Sequence, residues 1–340
     1  MSSLQNPMQA FDGLPIRQAV FRQIFPAVAS QMITLIYNLA DTYFVGLLNQ
    51  PSQTAAITVV YSPFLMLTAI SNLFGVGGAS ALARALGHKA PDKAREIAAI
   101  SFWWGAAASL VFCALFWVFA TPILSLCGAT ADTLPIALGY AKWAVVIGGP
   151  ATILNTLLAN LIRAEGKAGQ ASFGVSMGGI ANLVLDPLFI LPQFLGLGAV
   201  GAGMATCLSN VLSVVYFLLC LVRQRNESVI GLHPRHLRHS RKYLGNILAI
   251  GFPSALQYAL TVVAVAAQSR FVSQYTTEAV AALGIVKKLD QLPLYFSIGV
   301  SNGLLPLLAY HYAAGQQETR RAASRLGAGL SLLFALLCLV

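Results

Sequence analysis

Residues 173–195, Phe173-Gly-Val-Ser-Met-Gly-Gly-Ile-Ala-Asn-Leu-Val-Leu-Asp-Pro-Leu-Phe-Ile-Leu-Pro-Gln-Phe-Leu195, are apolar almost throughout, yet carry Asp186. A stretch of this length reads as a bilayer-crossing helix, since about 20 residues span roughly 30 Å of hydrocarbon. A carboxylate there costs roughly 2.5–3.5 kcal/mol even on lenient insertion scales, so such acids face an interior cavity and mark ion or substrate paths. Residues 33–48 repeat the pattern around Asp41. If the two acids share one site, they are the coupling machinery of a transporter.

The rest of the 340-residue chain fits this reading: 57% of it is hydrophobic and 9% charged, with a mean hydropathy of +0.72. Soluble domains run near 45–50% apolar and about 25% charged. Nine apolar segments are expected, at 17–48, 54–86, 95–126, 134–163, 169–194, 198–223, 243–273, 279–312 and 322–340. The alternation of a membrane β-barrel is absent, so the class is an all-α polytopic membrane protein. The first fifteen residues lack the basic start and apolar core of a cleaved signal peptide. The five cysteines show no metal-ligand spacing and read as small hydrophobes. No phosphate-binding glycine loop, nucleophile elbow or zinc-protease motif is found, so the chain reads as no enzyme. An ion gradient, or a separate subunit, must then supply the energy.

The net charge of +10 is distributed by topology. Of the 21 Lys and Arg, all but Lys142, Arg270, Lys287 and Lys288 lie before the first segment or at alternate loops, leaving 21 − 4 = 17 on one side. The loops around 49–53, 128–133, 193–196 and 274–277 carry almost none. The positive-inside rule places the N-terminus in the cytoplasm and explains the basic excess without nucleic acid.

Pro26-Ala-Val-Ala-Ser-Gln opens the first segment and Pro253-Ser-Ala-Leu-Gln-Tyr the seventh. Ala55-Ala-Ile-Thr-Val-Val pairs with Ala281-Ala-Leu-Gly-Ile-Val, and Gly75-Val-Gly-Gly with Gly299-Val-Ser-Asn. Six spans separate the copies, as in parallel repeats about an axis along the membrane normal. The expected organisation is a six-helix lobe over 1–223 holding a cation site, a basic cytoplasmic linker over 224–242, and the start of a second lobe over 243–340. By this symmetry Val340 falls within a third helix of the second lobe, so the chain reads as an incomplete form of a twelve-helix protein.

Counting residues from the expected segment ends puts Asp41, Asp186 and Thr206 at about 11–12 Å depth, at one level. Tyr37 and Asn38 precede Asp41 by four and three residues, and Asn182 precedes Asp186 by four, so each shares its acid's helix face. Pro187 is expected to break the helix and free a carbonyl. Two close carboxylates cannot both carry charge in a low dielectric without great cost, so the group would hold a proton or bind a small hard cation. Helix–helix bonding is the plainer role for each amide and for Thr206. Two readings stay open on the eighth segment: Lys287 meets substrate, or Lys288 pairs internally with Asp290. Tyr61, Phe64, Met66, Tyr258, Tyr295 and Phe296 are aromatic and thioether candidates for a substrate cavity, with packing as the alternative for each. Glu165, between Arg163 and Lys167, reads as part of a solvated turn.

Asn38-Leu-Ala-Asp-Thr-Tyr-Phe-Val-Gly46, Asn182-Leu-Val-Leu-Asp-Pro-Leu-Phe-Ile190 and Gly196-Leu-Gly-Ala-Val-Gly-Ala-Gly-Met-Ala-Thr206 together resemble the multidrug and toxic compound extrusion (MATE) transporters, especially their DinF-like branch. The resemblance implies two six-helix lobes, exporting cationic or amphipathic compounds against H⁺ or Na⁺, with no other cofactor. It implies that Asp41, Asn182, Asp186 and Thr206, with Tyr37 adjacent, form the cation site, and serve as ligands if the ion is Na⁺. Asn155 matches a further polar position of that lobe, and with Asn38, Tyr61, Lys287 and Asp290 makes up the candidate substrate cavity. Where the NorM-like branch has an acid in helix 7, this chain has Gln257 and Gln268 nearby. The expected protein is a monomeric, multi-pass inner-membrane antiporter whose partners are small organic cations and lipid. The rival readings are a lipid-linked oligosaccharide flippase, which would need a basic central cavity, and a non-transporting membrane scaffold, which would need no buried acids.

Overall fold

The computed structural model describes residues 11, 14–272 and 277–338, without the side chains at 262, 265, 266, 269, 270, 272, 277–285 and 287–289. Among the described residues the chain is helical, with no strand. The first lobe comprises α1 (Ile16–Gly46), α2 (Pro51–Gly87), α3 (Pro91–Val118), the short α4 (Ala120–Leu126), α5 (Leu134–Ala141), α6 (Gly149–Ala164), α7 (Ala168–Ile190) and α8 (Gly198–Arg223). The second comprises α9 (Ser240–Val272), α10 (Thr277–Ala313) and α11 (Gln317–Leu337).

α2, α3, α5 and α6 start without side-chain caps; proline stands in the first turn of each instead. Its fixed φ suits that position, and the N–H it lacks has no intrahelical partner there. Six described helices are long and apolar enough to cross a membrane, or seven if a bent pair counts as one span, so the protein is a multi-pass membrane protein. That pair occupies the fourth apolar segment expected at 134–163. A π turn at Lys142–Ile147 separates α5 from α6, which meet at 43°. A π turn is one of the few physical causes of a sharp kink.

The lobes meet along α1–α10 and α2–α9. The repeat relation exchanges these two contacts, as a two-fold axis between the lobes requires. Both contacts are tightest towards the end carrying Arg17, Arg22, Arg84 and Arg320, here termed the basic end. A Cβ on Gly299 would stand 2.6 Å from Val28 Cα, and one on Gly303 2.8 Å from Ile24 Cα. Gly77 and Gly251 pack backbone to backbone across α2–α9 with no room for a side chain on either. Small residues of this kind let helices approach where lipid removes the ordinary hydrophobic drive. Farther along, Tyr61, Leu256, Leu260 and Val263 are exposed, and a groove of about 470 Å³ runs beside Pro253, Gln257 and Thr261 of α9.

Residues 224–239 are a strap docked on the first lobe. Trp103 Nε1 donates to the Leu232 carbonyl at 2.9 Å, His239 lies 3.1 Å from Glu96, and Val229 and Ile230 enter the apolar core. α9 begins at Ser240, directly after this strap.

Candidate ion and substrate site

α1 lies on α7 because Gly179 has no side chain: a Cβ there would be 2.9 Å from Tyr37 Cδ1 and 3.0 Å from Ile33 Cγ2. This contact brings the two acid-bearing helices together. Asp186 is fully buried, and its Oδ1 accepts from Asn182 Nδ2 at 3.3 Å. Asp41 and Asp186 lie within electrostatic reach of each other, and both act on Tyr37 and Tyr140. Asn182 Oδ1 and Asp186 Oδ2 are buried and accept no hydrogen bond among the described residues. Buried oxygens left without donors are costly, and a proton or a small hard cation is what would satisfy them.

The acids lie five residues before Gly46 and four before Ile190, so they are shallower than the sequence count placed them, about 6–8 Å from the helix ends at 1.5 Å per residue. Pro187 does not break α7, which runs on to Ile190. It sits in the last turn, where its ring denies a donor only to the Leu183 carbonyl.

Thr206 stands on α8, and its carbonyl accepts from Asn210 Nδ2 at 2.9 Å. Asn210 Oδ1 in turn accepts from Asn155 Nδ2 at 2.8 Å, so Asn155 braces α6 against α8. Asn38 Nδ2 donates to Tyr295 Oη of the second lobe at 3.1 Å. Tyr61 and Tyr258 lie within electrostatic reach of Tyr295, which makes an aromatic group from α2, α9 and α10. Asp290 is exposed on α10, and the side chains of Lys287 and Lys288 lie outside the described residues. Two residues escaped the sequence reading: Tyr140, buried beside the acids, and Asn210. Both sit in apolar segments, and only the fold says which way they face.

The turn at 163–167 is not solvated. Arg163 and Glu165 are 3% and 1% exposed, because the strap folds back over them. Glu165 accepts from Ser228 Oγ at 2.8 Å and from the Val229 N–H, and pairs with Lys167 Nζ at 3.3 Å. Arg163 Nη1 donates to Asn160 Oδ1 at 3.1 Å.

A buried acid, Asp186, within reach of the half-buried Asp41 in bilayer-length helices, with a second lobe packed alongside by an exchanged helix contact, fits a two-lobe membrane transporter rather than an enzyme. The MatE family model matches residues 26–188 and 253–340, and the chain belongs to that family. It is 28% identical over 306 residues to the multidrug export protein MepA of Staphylococcus aureus (strain NCTC 8325 / PS 47), covering 90% of this chain and 67% of that protein. MepA of Staphylococcus haemolyticus is 27% identical over 325 residues, covering 96% and 71%. Among solved structures, a MATE protein in its straight conformation superposes with a TM-score of 0.89 at 23% identity, covering 96% of this chain and 72% of that one. An outward-facing multidrug-resistance MATE transporter of the MOP superfamily gives 0.84 at 24% identity, covering 95% and 70%.

Proposed function

We propose that this protein is an ion-coupled antiporter, exporting cationic or amphipathic small molecules in exchange for H⁺ or Na⁺. The observation that carries the reading is the pair of donorless buried oxygens, Asn182 Oδ1 and Asp186 Oδ2, within reach of the Asp41 charge. A pocket of this kind gains most from a proton or a small cation, and that gain is available to drive a change of shape. The relatives named as multidrug export proteins support the substrate class. The aromatic group of Tyr61, Tyr258 and Tyr295 supports a flat or cationic ligand, since cations are attracted to ring faces.

In this reading the basic end is cytoplasmic, and with it the N-terminus, in the inner membrane. The glycine contacts hold the cytoplasmic side shut while the aromatic space opens outward. Cation entry neutralises the acid pocket, α1 repacks, and substrate leaves. The lobes then rock as rigid bodies to expose the site inward. Shifting such a balance from 1:99 to 99:1 takes about 5.5 kcal/mol of differential binding. The protein works as a monomer.

The test is efflux of a cationic dye from vesicles holding the purified chain under an imposed pH or Na⁺ gradient. Transport should follow one of the two gradients and vanish in Asp41→Asn while membrane insertion persists. Gradient-driven efflux at the unsubstituted rate in Asp41→Asn would sink the mechanism.

A further inference from the structure

A cation pocket built within one lobe can move two lobes only if the other lobe senses its state. We propose that Tyr295 is the positioning residue through which the second lobe reads the cation pocket, by way of its hydrogen bond to Asn38; this rests on the ion-coupled reading above.

Asn38 is one residue after Tyr37 and three before Asp41 on α1. Tyr37 is pressed onto α7 at Gly179, and the amide of the next residue, Asn38, reaches Tyr295 Oη at 3.1 Å. One turn of α1 therefore touches both the acid-bearing helix α7 and the second lobe.

The same helix is built to change shape. Ser30, Thr34, Asn38 and Thr42 fall on one face at intervals of four. Ser30 Oγ donates to the Ala27 carbonyl at 2.9 Å, Thr34 Oγ1 to Ser30 at 2.9 Å, and Thr42 Oγ1 to Asn38 at 3.0 Å. Hydroxyls that bond back to carbonyls within their own helix weaken its ladder and bend it. Pro26 removes one further rung below them.

Near the basic end the closest approaches of the lobes are backbone against glycine, with the Arg84 guanidinium over the Tyr312 ring beside them. Farther from that end they meet through neutral polar side chains: Asn38 with Tyr295, and Asn72 with Tyr258. Of these two pairs, the first has its amide on the helix that bears Asp41. Repacking α1 around a bound cation displaces Asn38 and releases Tyr295.

The test uses the full chain in lipid nanodiscs. Ethidium affinity is measured with and without saturating Na⁺ at fixed pH, and again at two pH values without Na⁺, and cation affinity is measured separately by calorimetry. The unsubstituted chain should show ethidium affinity changing by about tenfold with one of the two ions, a usual size for coupling between sites. Tyr295→Phe keeps the ring and should keep cation affinity within about twofold, which also shows that it is folded, while the coupling factor falls to about one. Asn38→Leu should lose the factor as well, and the double variant should lose no more than either alone, as residues acting through one bond do. A Tyr295→Phe chain with the full factor, or single losses that multiply in the double variant, would overturn the inference and leave ion coupling standing. An unsubstituted chain that shows no factor with either ion would overturn both.

Discussion

Asn182 and Asp186 are joined across one turn of α7, with the amide nitrogen donating to Oδ1 at 3.3 Å, and Asn182 Oδ1 and Asp186 Oδ2 stay buried with no donor among the described residues. The bond fixes the carboxylate and leaves those two oxygens without a donor. Asn182→Leu should therefore weaken cation binding by at least tenfold, since a hydrogen bond to a charged group contributes about 1.5–3 kcal/mol. Calorimetric titration with Na⁺ or protons measures the loss. Unchanged affinity would mean that Asn182 only bonds helix to helix.

Glu165→Ala should cost about 3 kcal/mol, because it leaves the Ser228 hydroxyl and the Val229 N–H buried without an acceptor and Lys167 without its partner. The measurement is the thermal midpoint in detergent together with protease cleavage at 228–232, which should accelerate. Glu165→Gln keeps an oxygen acceptor and should lose less.

Gly251→Leu should force α2 and α9 apart where Gly251 meets the Leu73 backbone, at a cost of about 1–3 kcal/mol or more. Gly245 lies on the same helix with open space around its Cα, so Gly245→Ala serves as the neutral control. Distances between spin labels on the two lobes should lengthen at the basic end in the first variant and not in the second.

Asn155→Leu tests whether that amide holds the fold or the substrate. As a brace to Asn210 it should lower stability by about 1 kcal/mol and leave ethidium affinity within about twofold. A large fall in affinity at unchanged thermal midpoint would return Asn155 to the substrate cavity.

Much of the architecture is legible in the residues because a bilayer imposes simple rules. Run length gives the spans, the arginines and lysines sort the loops, and the paired Pro26 and Pro253 segments expose the repeat. Asp41 and Asp186 stand out because hydrocarbon penalises them. What stayed hidden depends on contacts between distant segments. The π turn at Lys142–Ile147 has no composition of its own, so nothing in the apolar segment 134–163 announces its bend. Glu165 reads as solvated because nothing in Arg163–Lys167 announces that residues 228–230 will cover it. Pro187 reads as a helix breaker because a sequence count cannot tell an interior turn from a last one.

The strap changes how this molecule can be handled. In the sequence, 224–242 is the obvious place to insert a tag, to split the chain into separately expressed halves, or to fuse a reporter. The exposed tip at Arg225, Asn226 and Glu227 suits that use. An insertion three residues later, at Ser228–Ile230, would pull buried residues out of the first lobe's core and unseat Glu165. A fluorophore placed at 225–227 would report the attitude of the first lobe, and one placed a turn into α9 that of the second. A distance measured between those two points would reflect the rotation of whole lobes, with almost no loose chain to blur it.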